Sequence, residues 1–341
     1  MSYINDITIN ISRGTLGLQQ QNFLPIVIGS GAIASGVMTA TSLVDMTDYG
    51  YLTTDEEYKM ASAMWAQSPS PSSIKVMRKA SGTDYDAALT TLITTDNDFY
   101  AITIESRDKA DLAAVGTWAN SNKKYFFGGS SDITALDSRN VDREAYLIHD
   151  NDPGDYPECA WVGREIPKQP GSNTWKWKVL SGQNASTFTS TQLATIRSNN
   201  GQALQSQSGV IFTNEGVSTS GEYIDILLGQ DWVEDQLKIE LLGLFLKNDK
   251  IAMDDIGIAQ VEGVIRSVLK RAGDNKIIAS AVSEADLLKS DDKLYIYQVT
   301  VPLRSAISAN DRANRNLTGV KFVYTTAGAI HKTTITGLIE V

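Results

Sequence analysis

The chain has 341 residues, 42% of them hydrophobic and 21% charged, and a formal net charge of −10. This length suggests about two domains, the acidic balance disfavours a protein whose main task is holding nucleic acid, and no apolar run approaches the ~18 residues of a membrane helix. One cysteine, Cys159, excludes an internal disulfide framework and suits a reducing compartment, and two histidines far apart in sequence, His149 and His331, leave little material for histidine-rich metal sites.

Residues 1–11 read as a strand, because Ile7, Ile9 and Ile11 alternate with Asp6, Thr8 and Asn10. The start shows no basic n-region and no apolar h-region, so no secretory signal is expected. The stretch SRGTLGLQQQN is polar and glycine-containing and reads as a flexible arm. FLPIVIGS, a short apolar run closed by glycine, reads as a buried strand. TTDEEYKMASAMWAQSP reads as a helix, with Thr54 as N-cap and Glu57 as its capping-box partner. Met60, Ala61 and Met64 form the apolar stripe, and Pro69 and Pro71 end it. Then come a strand (SIKVMRKA), a helix (DYDAALTTLIT), a strand (DFYAITIES), a helix capped by Asp108 (DKADLAAVGTWANSN) and a strand (KKYFFGGSS). Strands separated by helices of about 10–15 residues indicate a mixed or parallel sheet covered by helices.

Residues 150–172 are rich in turn formers. TWKWKVL alternates, with Trp175 and Trp177 on one face and Lys176 and Lys178 on the other, which reads as a two-faced sheet edge. SNNGQALQSQSG, poor in apolar residues, marks a domain boundary near residue 205. A helix follows with Val233, Leu237, Leu241 and Leu244 at helical spacing. A second has Ile258, Val261, Ile265, Val268 and Leu269 on its core face and Gly273 as C-cap. KLYIYQVTV and GVKFVYTTAG read as strands. The terminal HKTTITGLIEV alternates too, with Ile335, Ile339 and Val341 on one face and Thr334, Thr336 and Glu340 on the other, Leu338 spoiling the second face only slightly.

Motifs that could carry chemistry are weak. GSGAIASG follows a strand, but its glycines at 29, 31 and 36 place the third two residues late for a dinucleotide fingerprint, and no acidic residue ends the next strand. DNDPGD resembles a calcium loop only in part, since Pro153 interrupts it and its twelfth position is Trp161. Cys159, flanked by Pro157 and Trp161, reads as a buried inert thiol. The acid pairs Asp254–Asp255 and Asp291–Asp292 sit at a helix start and in a turn, where carboxylates take backbone N–H groups. Arg266, Lys270 and Arg271 lie in the C-terminal half of a helix, with Lys276 just beyond; they either compensate the helix dipole or form a positive patch for an acidic partner.

Several segments in combination resemble the contractile tail sheath proteins of bacteriophages and phage-tail-like bacteriocins. They are NISRGT, LPIVIGS, EYKMASAMWAQSPSPSSIKVMR, DYPECAWVGREIPKQPGSNTWKWKVLSG and DRANRNLTGVKFVYTTAGAIHKTTITGLIEV, in that order and nearly end to end, with little recognisable over residues 185–225. The resemblance implies a mixed α/β, α+β-type fold of two domains. An N-terminal strand and linker arm (1–22) would precede an outer α/β domain (23–204), an inner, tube-proximal domain (205–330) and a C-terminal strand (331–341) that packs with a neighbour's inner domain. The terminal strands, with Ile7, Ile9, Ile11, Ile335, Ile339 and Val341, would be exchanged between neighbouring subunits. An arm of about 11 residues spans roughly 35 Å as a strand, and each main-chain bond it makes contributes about 1 kcal/mol net.

The resemblance also implies a structural, non-enzymatic subunit without cofactor, polymerised in helical or stacked-ring form around a tail tube. Its contraction would drive the tube through a target-cell envelope. The implied partners are copies of itself, the tail tube protein, and baseplate and tail terminator proteins, with no nucleic acid and no direct membrane insertion. The place is a virion or tail-like particle assembled in a host bacterial cytoplasm. On this reading Arg266, Lys270 and Arg271 would face the tube. Two other readings remain: a small-ligand-binding α/β enzyme using the Gly29–Gly36 turn, which would form a small closed oligomer rather than a polymer, and a monomeric binding module of the outer tail.

Overall fold

In the computed structural model the described residues are 23–31, 35–150 and 153–336. A central strand, β1 (Pro25–Gly31), sends Val27 into one core and Ile26 and Ile28 into another, and all three are fully buried. An apolar run without polar alternation is what a sheet covered on both faces demands. β2 (Ser35–Ala40), β3 (Ile74–Ala80), β4 (Ala101–Ile104), β5 (Tyr125–Ser130) and β6 (Glu144–Ile148) join it in the order β2-β3-β1-β4-β5-β6. Neighbours are parallel, with Val27 opposite both Val76 and Thr103, except that β2 runs antiparallel to β3 at one edge. The two-faced alternation continues outward: Tyr125 and Phe127 share the core of Val27, whereas Phe126 and Tyr146 join Ile26 and Ile28.

Helices fill the connections: α1 (Leu43–Tyr49), α2 (Glu56–Trp65), α3 (Tyr85–Leu92), α4 (Lys109–Ser121), α5 (Pro157–Glu165) and α6 (Ser190–Ser198). α1, α2 and α5 cover one face through Met46, Met60, Met64 and Trp161; α3, α4 and α6 cover the other through Leu89, Leu112, Val115 and Ile196. Trp161 and Trp175 are packing residues, both fully buried. Trp175 stacks on Phe127 with centroids 4.7 Å apart, and Trp161 meets Trp175 edge-on while donating its indole N–H to the Trp175 carbonyl at 3.1 Å. Such aromatic pairs add about 0.5–1.5 kcal/mol each beyond the area they bury. α5 lies so close to α2 that a Cβ on Gly163 would sit 2.5 Å from the Met64 Cα, which is why glycine stands there.

A hairpin of β7 (Leu204–Gln207) and β8 (Val210–Thr213) leads to α7 (Ile224–Lys247) and α8 (Asp255–Asp274). The first turn of α7 places Ile224, Leu227 and Leu228 in the core of Val27, while Val233, Leu237 and Leu241 belong to a third core. That third core is completed by Val261, Ile265, Val268 and Leu269 of α8 and by Tyr297 and Val299 of β9 (Tyr297–Thr300), which pairs antiparallel with β10 (Lys321–Tyr324).

Several local expectations are corrected. α2 is capped at Asp55, not Thr54, and the Asp55 carboxylate turns back to the Leu52 N–H at 2.9 Å and to Arg78 instead of the helix. The turn-rich stretch 150–172 contains α5, entered through Pro157 at the first helical position after Tyr156 takes a left-handed φ of 52°. TWKWKVL is not a strand. Trp175 and Lys176 are both buried, Trp177 is half exposed at φ 64°, and the alternation is therefore broken by backbone reversal. Gly273 is a helical residue, not a C-cap; its missing side chain makes room for the Tyr295 ring, and Asn275 ends the helix. Asp108 and Asp254 do cap their helices, accepting from Ala110 and Gly257.

Candidate functional site

The chemistry of an α/β sheet is expected outside the carboxyl ends of its strands, where the strand order reverses. Here that point lies between β1 and β4. Ion pairs flank it, one over β1 and β3 and one against β5. Glu57, 1% exposed, receives two bonds from Arg78 at 2.7 and 2.9 Å, and a Cβ at Gly29 would strike the Glu57 carboxylate at 2.3 Å. Its hydrogen bonds to Glu57 hold the Arg78 guanidinium further above its ordinary pKa. Beside it Arg107 pairs with the fully buried Glu158 at 2.8 Å and lies over the Tyr156 ring. Burial would push Arg107 down, but the Glu158 carboxylate outweighs it and keeps the group above its usual value.

The Gly29–Gly36 stretch also lacks the strand–turn–helix setting of a phosphate cradle. Gly36 belongs to β2, a strand of the same sheet. Cys159 is fully buried, and burial, reinforced by Glu158, pushes its thiol well up, the opposite of an activated nucleophile. Among the described residues no three His, Cys, Asp or Glu side chains gather as a metal cluster, and no helix is long and apolar enough to cross a membrane.

The C-terminal part instead presents an exposed strand edge. In β9 and β10, Tyr297, Val299, Phe322 and Tyr324 turn toward α7 and α8, while Val323 is 69% exposed on the opposite face. Among the described residues, no backbone group pairs with the outer edge of β10. Residues 277–281 run alongside, joined by Ala279 N–H to Thr325 O at 2.8 Å and Ala327 N–H to Ile277 O at 2.9 Å. Beyond Ala327 the chain runs to His331, whose Nε2 meets Thr174 Oγ1 at 2.7 Å and whose ring stands edge-on to Tyr223. A cleft of about 280 Å³ opens beside this contact, lined by Thr174, Asp225, Lys276 and Gly328 among others, and burial pushes the Asp225 carboxyl up.

Residues 331–336 form no strand within the chain, and Ile335 is 87% exposed. Ile7, Ile9, Ile11, Ile339 and Val341 lie outside the described residues. The basic trio is largely neutralised on its own surface. Arg266 is paired with Glu262 at 2.7 Å and Asp291 at 3.0 Å, Arg271 with Glu240 of α7 at 2.9 Å, and Lys270 is exposed without an ion pair among the described residues. Sequence reasoning did not single out the strongest buried polar cluster. In it both terminal guanidinium nitrogens of Arg143, just before β6, donate to Asp231 of α7, which also accepts from the Tyr100 hydroxyl at 2.6 Å. Its signal in the sequence was the acidic run Asp231, Glu234 and Asp235 continuing the helix face of Ile224, Leu227 and Leu228.

Residues 224–338 match the family model described as E217 tail sheath protein gp31-like, C-terminal domain. The fold as a whole is shared with a chain of the anti-feeding prophage baseplate (12% identity, TM-score 0.69, 100% of both chains covered). It is shared with the anti-feeding prophage helical sheath in the contracted state (11% identity, TM-score 0.68, 99% of both chains). It also matches the contracted sheath complex of the extracellular contractile injection system PVC (11% identity, TM-score 0.70, 100% of this chain and 98% of the other). None of the curated proteins compared matches the sequence.

Proposed function

We propose that the chain is a structural subunit of a contractile tail sheath, polymerising around a tail tube and contracting to drive that tube through a target-cell envelope. The single observation that carries this reading is the match of residues 224–338 to a tail sheath C-terminal domain, supported by a fold shared end to end with chains of contractile particles. No catalytic step belongs to it; contraction would draw on conformational energy stored at assembly. Copies of itself, a tube protein, and baseplate and terminator proteins are the partners, with assembly in a bacterial cytoplasm into a virion or tail-like particle.

The terminal segments are proposed to leave their own subunit and add as strands to a neighbour's sheet, with the outer edge of β10 as the receiving edge. The exposed Ile335 and Val323 favour this, since strand addition would bury both. The change of core membership along α7 supports a division into an outer body and an inner, tube-proximal body. Among the basic residues, Lys270 is the proposed tube contact. The test is negative-stain microscopy of the purified full chain and of a chain ending at residue 330. Full-length protein should form tubes or rods and the truncated form should stay unpolymerised with its circular dichroism unchanged. Polymers formed equally by the truncated chain would overturn the exchange.

A further inference from the structure

We infer that His331 is a pH-sensitive latch: it pins the root of the C-terminal segment to its own subunit and lets go when protonated. From residue 325 to 336 every residue is exposed except His331. Among the described residues, 328–336 make no other hydrogen bond or ion pair. One side chain therefore decides whether this stretch lies on the body or leaves it.

The contact tolerates only a neutral ring. Nε2 lies 2.7 Å from Thr174 Oγ1, while Nδ1 is buried with no hydrogen-bond partner among the described residues. The tautomer with its proton on Nε2, donating to Thr174, leaves a bare lone pair on Nδ1, which costs less than a bare buried N–H. Protonation would put an N–H on Nδ1 with nothing to receive it. It would also add a positive charge beside Lys176, Lys178 and Lys332; of the nearby acids, Glu215 is already held by Lys176 at 3.0 Å, and Asp225 lines the adjoining cleft with its carboxyl pushed up by burial. Burial first and Lys176 next push the ring's pKa below its ordinary 6.5. The sign follows. As pH falls through about 6.5, the released ring takes a proton that the latched ring refuses, so the ratio of latched to released chains falls, by up to about tenfold per pH unit, until the latched value is passed.

Cys159 is fully buried, so a cysteine introduced at exposed Thr333 can be labelled selectively with a nitroxide. Its mobility would be followed by electron paramagnetic resonance on the unassembled fraction of full-length chain, between pH 7.5 and 5.5. The label should be restricted at pH 7.5 and become mobile with a midpoint below 6.5. Adding Thr174→Val should make it mobile throughout. Adding His331→Gln, whose amide can still donate to Thr174 but cannot titrate, should remove the pH response. A label equally restricted at both pH values in the unsubstituted background, or a Thr174→Val chain as restricted as that background at pH 7.5, would overturn the latch. So would an acid response unchanged by His331→Gln. The readout is independent of polymer formation, so failure of the latch and failure of the sheath reading are told apart by microscopy on the same samples.

Discussion

Asp231→Ala should be among the most damaging single changes in the molecule. Asp231 and Arg143 are 5% and 7% exposed, and the pair joins the start of β6 to the first third of α7. Removing the carboxylate leaves a buried guanidinium without its partner, which costs about 3–5 kcal/mol. The Tyr100 hydroxyl loses its acceptor as well, about 1 kcal/mol more. The total of about 4–6 kcal/mol is a large share of a stability that is about 5–15 kcal/mol for typical proteins. Replacing both charges by apolar groups, Arg143→Met with Asp231→Leu, should recover most of that loss, because the desolvation cost disappears with the charges. Urea unfolding at fixed protein concentration, followed by circular dichroism and tryptophan fluorescence, gives the differences. A loss under about 1 kcal/mol for Asp231→Ala, or a double variant as unstable as the sum of the singles, would refute the reasoning.

Gly163→Ala should lower the melting temperature by several degrees, since its methyl meets the Met64 backbone at 2.5 Å and overpacking of this kind costs about 1–3 kcal/mol. Burial pushes the Lys124 ammonium down to about 8 from 10.5. The unfolded chain therefore binds more protons than the folded one between those values, and stability should rise from pH 8 toward 10. The slope should be up to about 1.4 kcal/mol per pH unit, and Lys124→Met should flatten it in urea titrations at each pH. Lys270→Glu should leave folding unchanged and impair sheath assembly on tubes, read by microscopy; normal extended sheath would remove Lys270 from the tube contact.

Much of the sheet was legible because its signals are local. The apolar run Ile26–Ile28, the stripe of Met60, Ala61 and Met64, and the caps Asp108 and Asp254 each follow from residue type and spacing alone. The errors arise where contacts distant in sequence decide. Thr54 loses the cap because Arg78, on β3, organises the Asp55 carboxylate. α5 forms among turn residues because Trp161 and Val162 are wanted in the core. The Trp–Lys alternation around residue 176 was no guide to exposure, since Glu215 draws Lys176 inward while Trp177 turns out over Phe212. At the C-terminal end, alternation in 331–341 marked a segment suited to pairing, but nothing local revealed that His331 would attach its root to Thr174.

One unbroken helix, α7, supplies side chains to two separate hydrophobic clusters along its 24 residues, a length of about 36 Å. Neither cluster can melt without fraying the helix that completes the other. Heat should therefore dissolve both in a single calorimetric peak, despite a chain long enough for two independent transitions.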